Sequence, residues 1–195
     1  MAFDMNNIIK MIGFTGDMMP GIYFRQIVEV VKEHSMPENW DVYKNKFGEF
    51  SPLKQYPMTI YLPLILEGTK SMFPDRNVEE AVYDTARFVF KKINMTHMVG
   101  IMRSLYSTEQ NLADPIVSLL NMPFTQKAMG SSRFVIQKID NRHITITIHT
   151  FDKVNLAEYL HGMMDEIYEP AGIKVQFSSQ KIPSGYMVDI QWVAK

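Results

Sequence analysis

The chain has 195 residues, 46% hydrophobic and 21% charged, with a formal net charge of −1. That balance suits one globular domain, or two small lobes sharing a core, and excludes long disordered tracts. There is no cysteine, which removes disulfides, thiol nucleophiles, thiolate-held zinc and iron–sulfur clusters and fits a cytoplasmic protein.

No basic run exceeds the pair Lys91–Lys92, so no nucleic-acid partner is expected. The opening MAFDMNNIIKMIGF has an acid at Asp4 and a lysine at Lys10 inside its apolar part. A secretory signal wants a basic start and an unbroken apolar core, so none is expected. The apolar stretches fall short of the roughly 20 residues a spanning helix needs, so the reading is a soluble protein without membrane insertion.

In chain order, GIYFRQIVEVVKEH predicts a helix with Phe24, Ile27, Val28 and Val31 at helical spacing. SMPENWDVYKNKFG predicts a second. Ser35 and Glu38 form a capping-box pattern, Met36, Trp40, Tyr43 and Phe47 make its apolar stripe, and Gly48 stands at the C-cap place. FSPLKQYP reads as a turn-rich link. TIYLPLILEGTKSMF follows as an apolar helix that tolerates Pro63 near its first turn. After a break at Pro74, Asn77 and Glu80 cap a helix whose buried stripe is Val78, Val82, Ala86, Val89 and Ile93.

MTHMVGIMRSLY suggests another helix, and Asp114–Pro115 a cap with proline at the first helical position. At Gly130 the period changes from helical to two. SRFVIQKID and RHITITIHTF alternate around Asp140–Asn141–Arg142, and a three-residue loop pairs Phe134 with Ile148 and Ile136 with Ile146. NLAEYLHGMMDEIY is a helix capped by Asn155 and Glu158, with Leu156, Tyr159, Leu160, Met163, Met164, Ile167 and Tyr168 on its apolar side. IKVQFSS and YMVDIQW then alternate around KIPSG. The expected class is α+β: a helical lobe over residues 1–130 packed on a four-stranded antiparallel sheet lobe, hairpin–helix–hairpin, over 131–195, as one compact domain.

Candidate chemistry is sparse. In RHITITIHT, His143 and His149 share the polar strand face with Thr145 and Thr147. Six residues of strand separate them by about 20 Å, too far for joint ligation of one metal. His161 is expected on the solvated side of its helix, and His34 at a helix end where a cation favours the dipole. His97 alone sits among apolar residues, in NMTHMVGIM. GFTGD lacks the Gly-Lys-Ser/Thr ending of a phosphate loop, no serine lies in a Gly-x-Ser-x-Gly elbow, and Glu79–Glu80 and Asp165–Glu166 are first-turn and solvent-face carboxylates rather than a facing pair. No metal site and no cofactor are expected. The compositional oddity is 16 methionines, residues that fill irregular cores and adaptable binding surfaces.

YPMTIYLPLILEGTKSMFPDRNVEEAVYDTARFVF, with MGSSRFVIQKIDNRHITITIHT and YEPAGIKVQF further on, resembles an uncharacterised family of similar length abundant in myxobacteria and found in predators such as Bdellovibrio. The order of helices, two strands, an amphipathic helix and two strands is similar to haem nitric oxide/oxygen-binding domains and vinyl-reductase-type ligand-binding domains. The former carry a Tyr-x-Ser-x-Arg motif after the second strand, where this chain reads His149-Thr150-Phe151-Asp152-Lys153. The resemblance implies a cavity-bearing sensor fold.

The leading expectation is a non-catalytic sensor or regulatory module binding a small apolar ligand or a protein partner, with His97, Met98, Arg103, Tyr106 and Met163 as the ligand-binding set. One alternative is a haem-dependent gas sensor using His97. Another is an enzyme built on Arg87, His97, Arg103 and Tyr106. A homo-oligomer interface on the uncovered sheet face would use Val135, Ile139, Thr145 and Thr147.

Overall fold

The computed structural model describes residues 18–94, 111–121, 125, 133–149, 155–169 and 172–194. Its elements are β1 (Met18–Pro20), α1 (Gly21–His34), α2 (Pro37–Phe47), β2 (Gln55–Pro57), a short 3-10 turn (Met58–Ile60), α3 (Tyr61–Met72), α4 (Val78–Asn94), α5 (Ala113–Asn121), β3 (Arg133–Asp140), β4 (His143–His149), α6 (Leu156–Tyr168), β5 (Ile173–Ile182) and β6 (Gly185–Ala194). Helices therefore precede a four-stranded antiparallel sheet of order β3-β4-β6-β5, the α+β class expected.

The sheet forms where the period-two pattern predicts. Phe134 pairs with Ile148 and Ile136 with Ile146, so large apolar groups oppose one another on one face. The loop differs in detail. Asp140 pairs with His143 around Asn141–Arg142, and a register shift between Lys138 and Asp140 restores the predicted pairing. Ile144, Ile146, Ile148, Val188 and Ile190 are fully buried under the helices, each contributing about 1.5–3 kcal/mol by leaving water.

Helix α6 lies on that face. Its predicted cap holds, with Asn155 Oδ1 accepting from the Glu158 N–H at 3.2 Å, and its seven predicted apolar residues are all buried. Buried residues of the helices and the sheet join in one continuous core.

Four local expectations are corrected. The link FSPLKQYP is not only turn: Gln55–Pro57 pairs antiparallel with Met18–Pro20. The capping box at Ser35 does not form, because Pro37 takes the first helical position of α2, and Ser35 Oγ instead meets Ser71 Oγ at 2.8 Å. On α2 only Tyr43 is buried, and Met36 is 57% exposed. Helix α5 begins at Ala113, before Asp114, and the Asn111 side chain accepts from the Asp114 N–H at 3.2 Å.

Candidate functional site

The seam between the helical lobe and α6 concentrates the interior polar chemistry. Helix α4 packs along α6 closely enough that a Cβ on Gly162 would lie 2.3 Å from the Tyr83 carbonyl oxygen and 3.0 Å from the Ala86 Cβ. Glycine at this crossing lets the backbones touch. At one end of the contact, the Tyr61 and Tyr159 hydroxyls share a 2.5 Å hydrogen bond between α3 and α6. Burial pushes the Tyr61 phenol up to about 12, with the bond to Tyr159 opposing, and burial first and Tyr61 second hold Tyr159 well above its ordinary value. Between α3 and α4, the Thr69 and Thr85 hydroxyls lie 2.9 Å apart.

At the other end, Tyr83 donates to Asp165 Oδ2 at 2.7 Å, and the Arg87 guanidinium pairs with Glu166 at 2.7 Å and Glu169 at 3.1 Å. Burial, then the Asp165 hydrogen bond, pushes the Tyr83 phenol up to about 12. Asp165 and Glu166 are therefore interhelix ties rather than free solvent-face carboxylates. His161 corrects another expectation. It is not simply solvated: its ring stacks on Phe177 of β5 at 4.3 Å, tilts against Tyr83 at 4.9 Å, and lies 3.6 Å from both Glu158 and Asp165.

Of the predicted ligand-binding residues, Met163 is buried on α6, one turn beyond Tyr159. His97, Met98, Arg103 and Tyr106 lie outside the described residues. Arg87, the described member of the enzyme set, is held by its two carboxylates. The tyrosine pair was not singled out from sequence, although Tyr159 stood in the apolar stripe of α6, and a buried phenol there requires a partner.

The sheet's other face carries exposed apolar groups. Val135 (58% exposed), Ile139 (49%) and Met187 (46%) stand there with Thr145 and Thr147. His143 Nε2 meets Asp189 at 2.7 Å on the same face, while His149 Nδ1 meets Ser184 Oγ at 3.1 Å.

A haem held through histidine, as in the His97 alternative, needs an imidazole aimed into a pocket that admits a macrocycle. His34 donates Nδ1–H to the Val30 carbonyl at 2.9 Å and stacks on Phe88. His143, His149 and His161 are engaged as described, and the α4–α6 contact is closed by backbone against glycine. No described histidine is therefore placed to hold a haem, and His97 lies outside the described residues. Among them no group of three or more His, Cys, Asp or Glu is placed to hold a metal ion, and no helix is long and apolar enough to cross a membrane.

No family model matches the chain, and no curated protein does either. Solved structures match in fold. The Fe(II) unliganded H-NOX protein from K. algicida superposes with a TM-score of 0.60 at 15% identity, over 91% of this chain and 98% of that one. A mutant H-NOX protein from S. oneidensis in the Fe(II) ligation state gives 0.55 at 14% identity, over 91% and 97%. A double mutant of Tt H-NOX gives 0.54 at 12%, over 91% and 95%. The chain is thus distantly similar in fold, over nearly its whole length, to the H-NOX proteins.

Proposed function

We propose that this protein is a non-catalytic sensor or regulatory module that binds a small apolar ligand in its interior. The observation that carries the reading is the fold: 91% of the chain superposes on 98% of an H-NOX protein at a TM-score of 0.60. Fold likeness alone is analogy, but its near-complete span favours a whole sensor domain over an isolated shared motif. Met163 and the tetrad His97, Met98, Arg103 and Tyr106 form the proposed ligand-binding set. Absence of cysteine from the sequence supports a cytoplasmic setting.

The test is native mass spectrometry of freshly purified full chain, with an absorption spectrum beside it. The expected result is a bound non-peptide mass without a haem band, and a reduced adduct in Met163→Ala. A bare chain mass without colour would overturn the reading in favour of a protein-partner module or a homo-oligomer, which the subunit count would distinguish. A haem band would overturn it in favour of a haem-dependent gas sensor using His97.

A further inference from the structure

Away from the seam, helices α1 and α2 diverge and leave a groove of about 370 Å³. That volume falls in the range of small-molecule sites, roughly 300–1,000 Å³. Its apolar surface is mostly aromatic: Trp40 from α2 and Phe50 from the segment after it, together with Val28 of α1. The rings are fixed from behind. Phe50 stacks on Phe24 at 5.2 Å and meets Tyr56 edge-on at 4.9 Å, while Trp40 lies 6.0 Å from Tyr43. Such a surface is preorganised, which lowers the ordering cost of binding.

The charges lining the groove do not cancel. Arg25 is paired with Glu29 at 2.9 Å, and Lys44 faces Glu49 at 3.8 Å. Lys32 is the remaining cation, and its ammonium lies over the Trp40 ring, 5.9 Å from the centroid. The lining therefore carries three cations against two carboxylates, a surplus of one positive charge poised above an indole. A cation in that place attracts a carboxylate arriving with a flat apolar body that stacks on the same ring.

We propose that the α1–α2 groove binds a small aromatic monoanion, its ring system on Trp40 and Phe50 and its anionic group on the Lys32 ammonium. One negative charge neutralises the lining, whereas a dianion would face Glu29 and Glu49. The site shares no lining residue with the interior ligand set, so either proposal stands if the other falls.

The test uses the full chain labelled with ¹⁵N and 2-naphthoate as the probe. The indole N–H signal of Trp40, assigned by its loss in Trp40→Phe, is followed during titration, with Trp192 as an internal control buried in the sheet lobe. The expected result is a saturable shift of Trp40 alone, with a Kd near or below about 1 mM. Lys32→Gln should weaken binding about fivefold, the scale of one partly exposed ion pair, and Lys32→Arg should preserve it. The neutral analogue 2-naphthalenemethanol should bind wild type about fivefold more weakly for the same reason. An unmoved Trp40 signal, or equal affinity for acid and alcohol in the wild type, would overturn the proposal. The alcohol comparison needs no variant, so it stands whatever Lys32→Gln does to folding.

Discussion

Helices α6 and α2 both carry an apolar stripe at helical spacing, yet the fold treats them differently. Nine of the thirteen residues of α6 are buried, because α4 covers one side of it and the sheet another. Helix α2 buries Tyr43 alone of its eleven, with the Tyr43 hydroxyl reaching the Leu64 carbonyl at 3.3 Å. Periodicity fixes which side of a helix turns inward; how deep it goes depends on what lies opposite. For α6 two layers lie opposite, and for α2 there is the flank of α3 and an open groove. The interior helix holds the lobes together, and the peripheral one is left with surface on which a ligand can settle.

Truncating the two helices sharpens the contrast most. Leu160→Ala removes a side chain that is 1% exposed under the sheet, and a loss of about 2–5 kcal/mol is expected by urea denaturation. Val42→Ala on α2 removes one that is 70% exposed, and the change should stay within about 0.5 kcal/mol. Similar losses at the two sites would break the comparison. Gly162→Ala follows in size. Its new methyl would meet the Tyr83 carbonyl oxygen, which belongs to a helix backbone and cannot swing aside, so α4 and α6 must part at a cost of about 1–3 kcal/mol. An unchanged unfolding midpoint in Gly162→Ala would show that the helices are not in contact there.

The tyrosine pair tests the same seam by chemistry instead of volume. Tyr159→Phe strands the Tyr61 hydroxyl in the interior, and a loss of about 1–3 kcal/mol is expected. Removing both hydroxyls, in Tyr61→Phe with Tyr159→Phe, should cost no more than either single change, because no orphan remains. Additive losses would mean that the hydroxyls are not partners. The pair also sets an alkaline limit. Both folded values lie above the ordinary value near 10, so the unfolded chain releases its protons first. Their contribution is complete below about pH 10 and is lost as pH rises through the raised folded value of Tyr61, about 12. The phenolate absorbance of these two residues should therefore appear together with unfolding, not before it.

Much of this architecture was legible in the residues, and for definite reasons. Strict alternation in His143–His149 fixed the register of the first hairpin, and the Asn155 cap with the stripe from Leu156 to Tyr168 fixed α6. The β1–β2 pairing was not legible, since three-residue strands show no alternation and the pairing rests on segments far apart meeting near Gly21, whose N–H donates to the Lys54 carbonyl at 2.7 Å. The seam was hidden for a similar reason: Tyr83 meets Asp165 across 82 positions and Tyr61 meets Tyr159 across 98. Of the predicted ligand-binding set, the burial of Met163 followed from its place in the stripe, while His97, Met98, Arg103 and Tyr106 lie outside the described residues. The groove went unseen because Lys32, Trp40 and Phe50 come from three different segments, each ordinary by itself.

The smallest expected effect concerns what attaches α2. Glu67 of α3 lies 2.7 Å from Lys70 on its own helix and 3.1 Å from Lys46 on α2. Its carboxyl is held below the usual range, first by the Lys70 hydrogen bond and then, against some desolvation, by Lys46. A depressed folded value means that the contribution is present above the unfolded value near 4.3 and is lost as pH falls through the folded one. All three side chains are partly exposed, at 30% for Glu67, 56% for Lys70 and 54% for Lys46, so water and salt screen the pairs and less than about 1 kcal/mol is at stake. Glu67→Gln should lower stability slightly at neutral pH, and its gap from wild type should close near pH 2 and in about 1 M salt. A gap that persists under both conditions would show that the charge of Glu67 is not what fastens α2, and would remove this contrast with the packed interior helix.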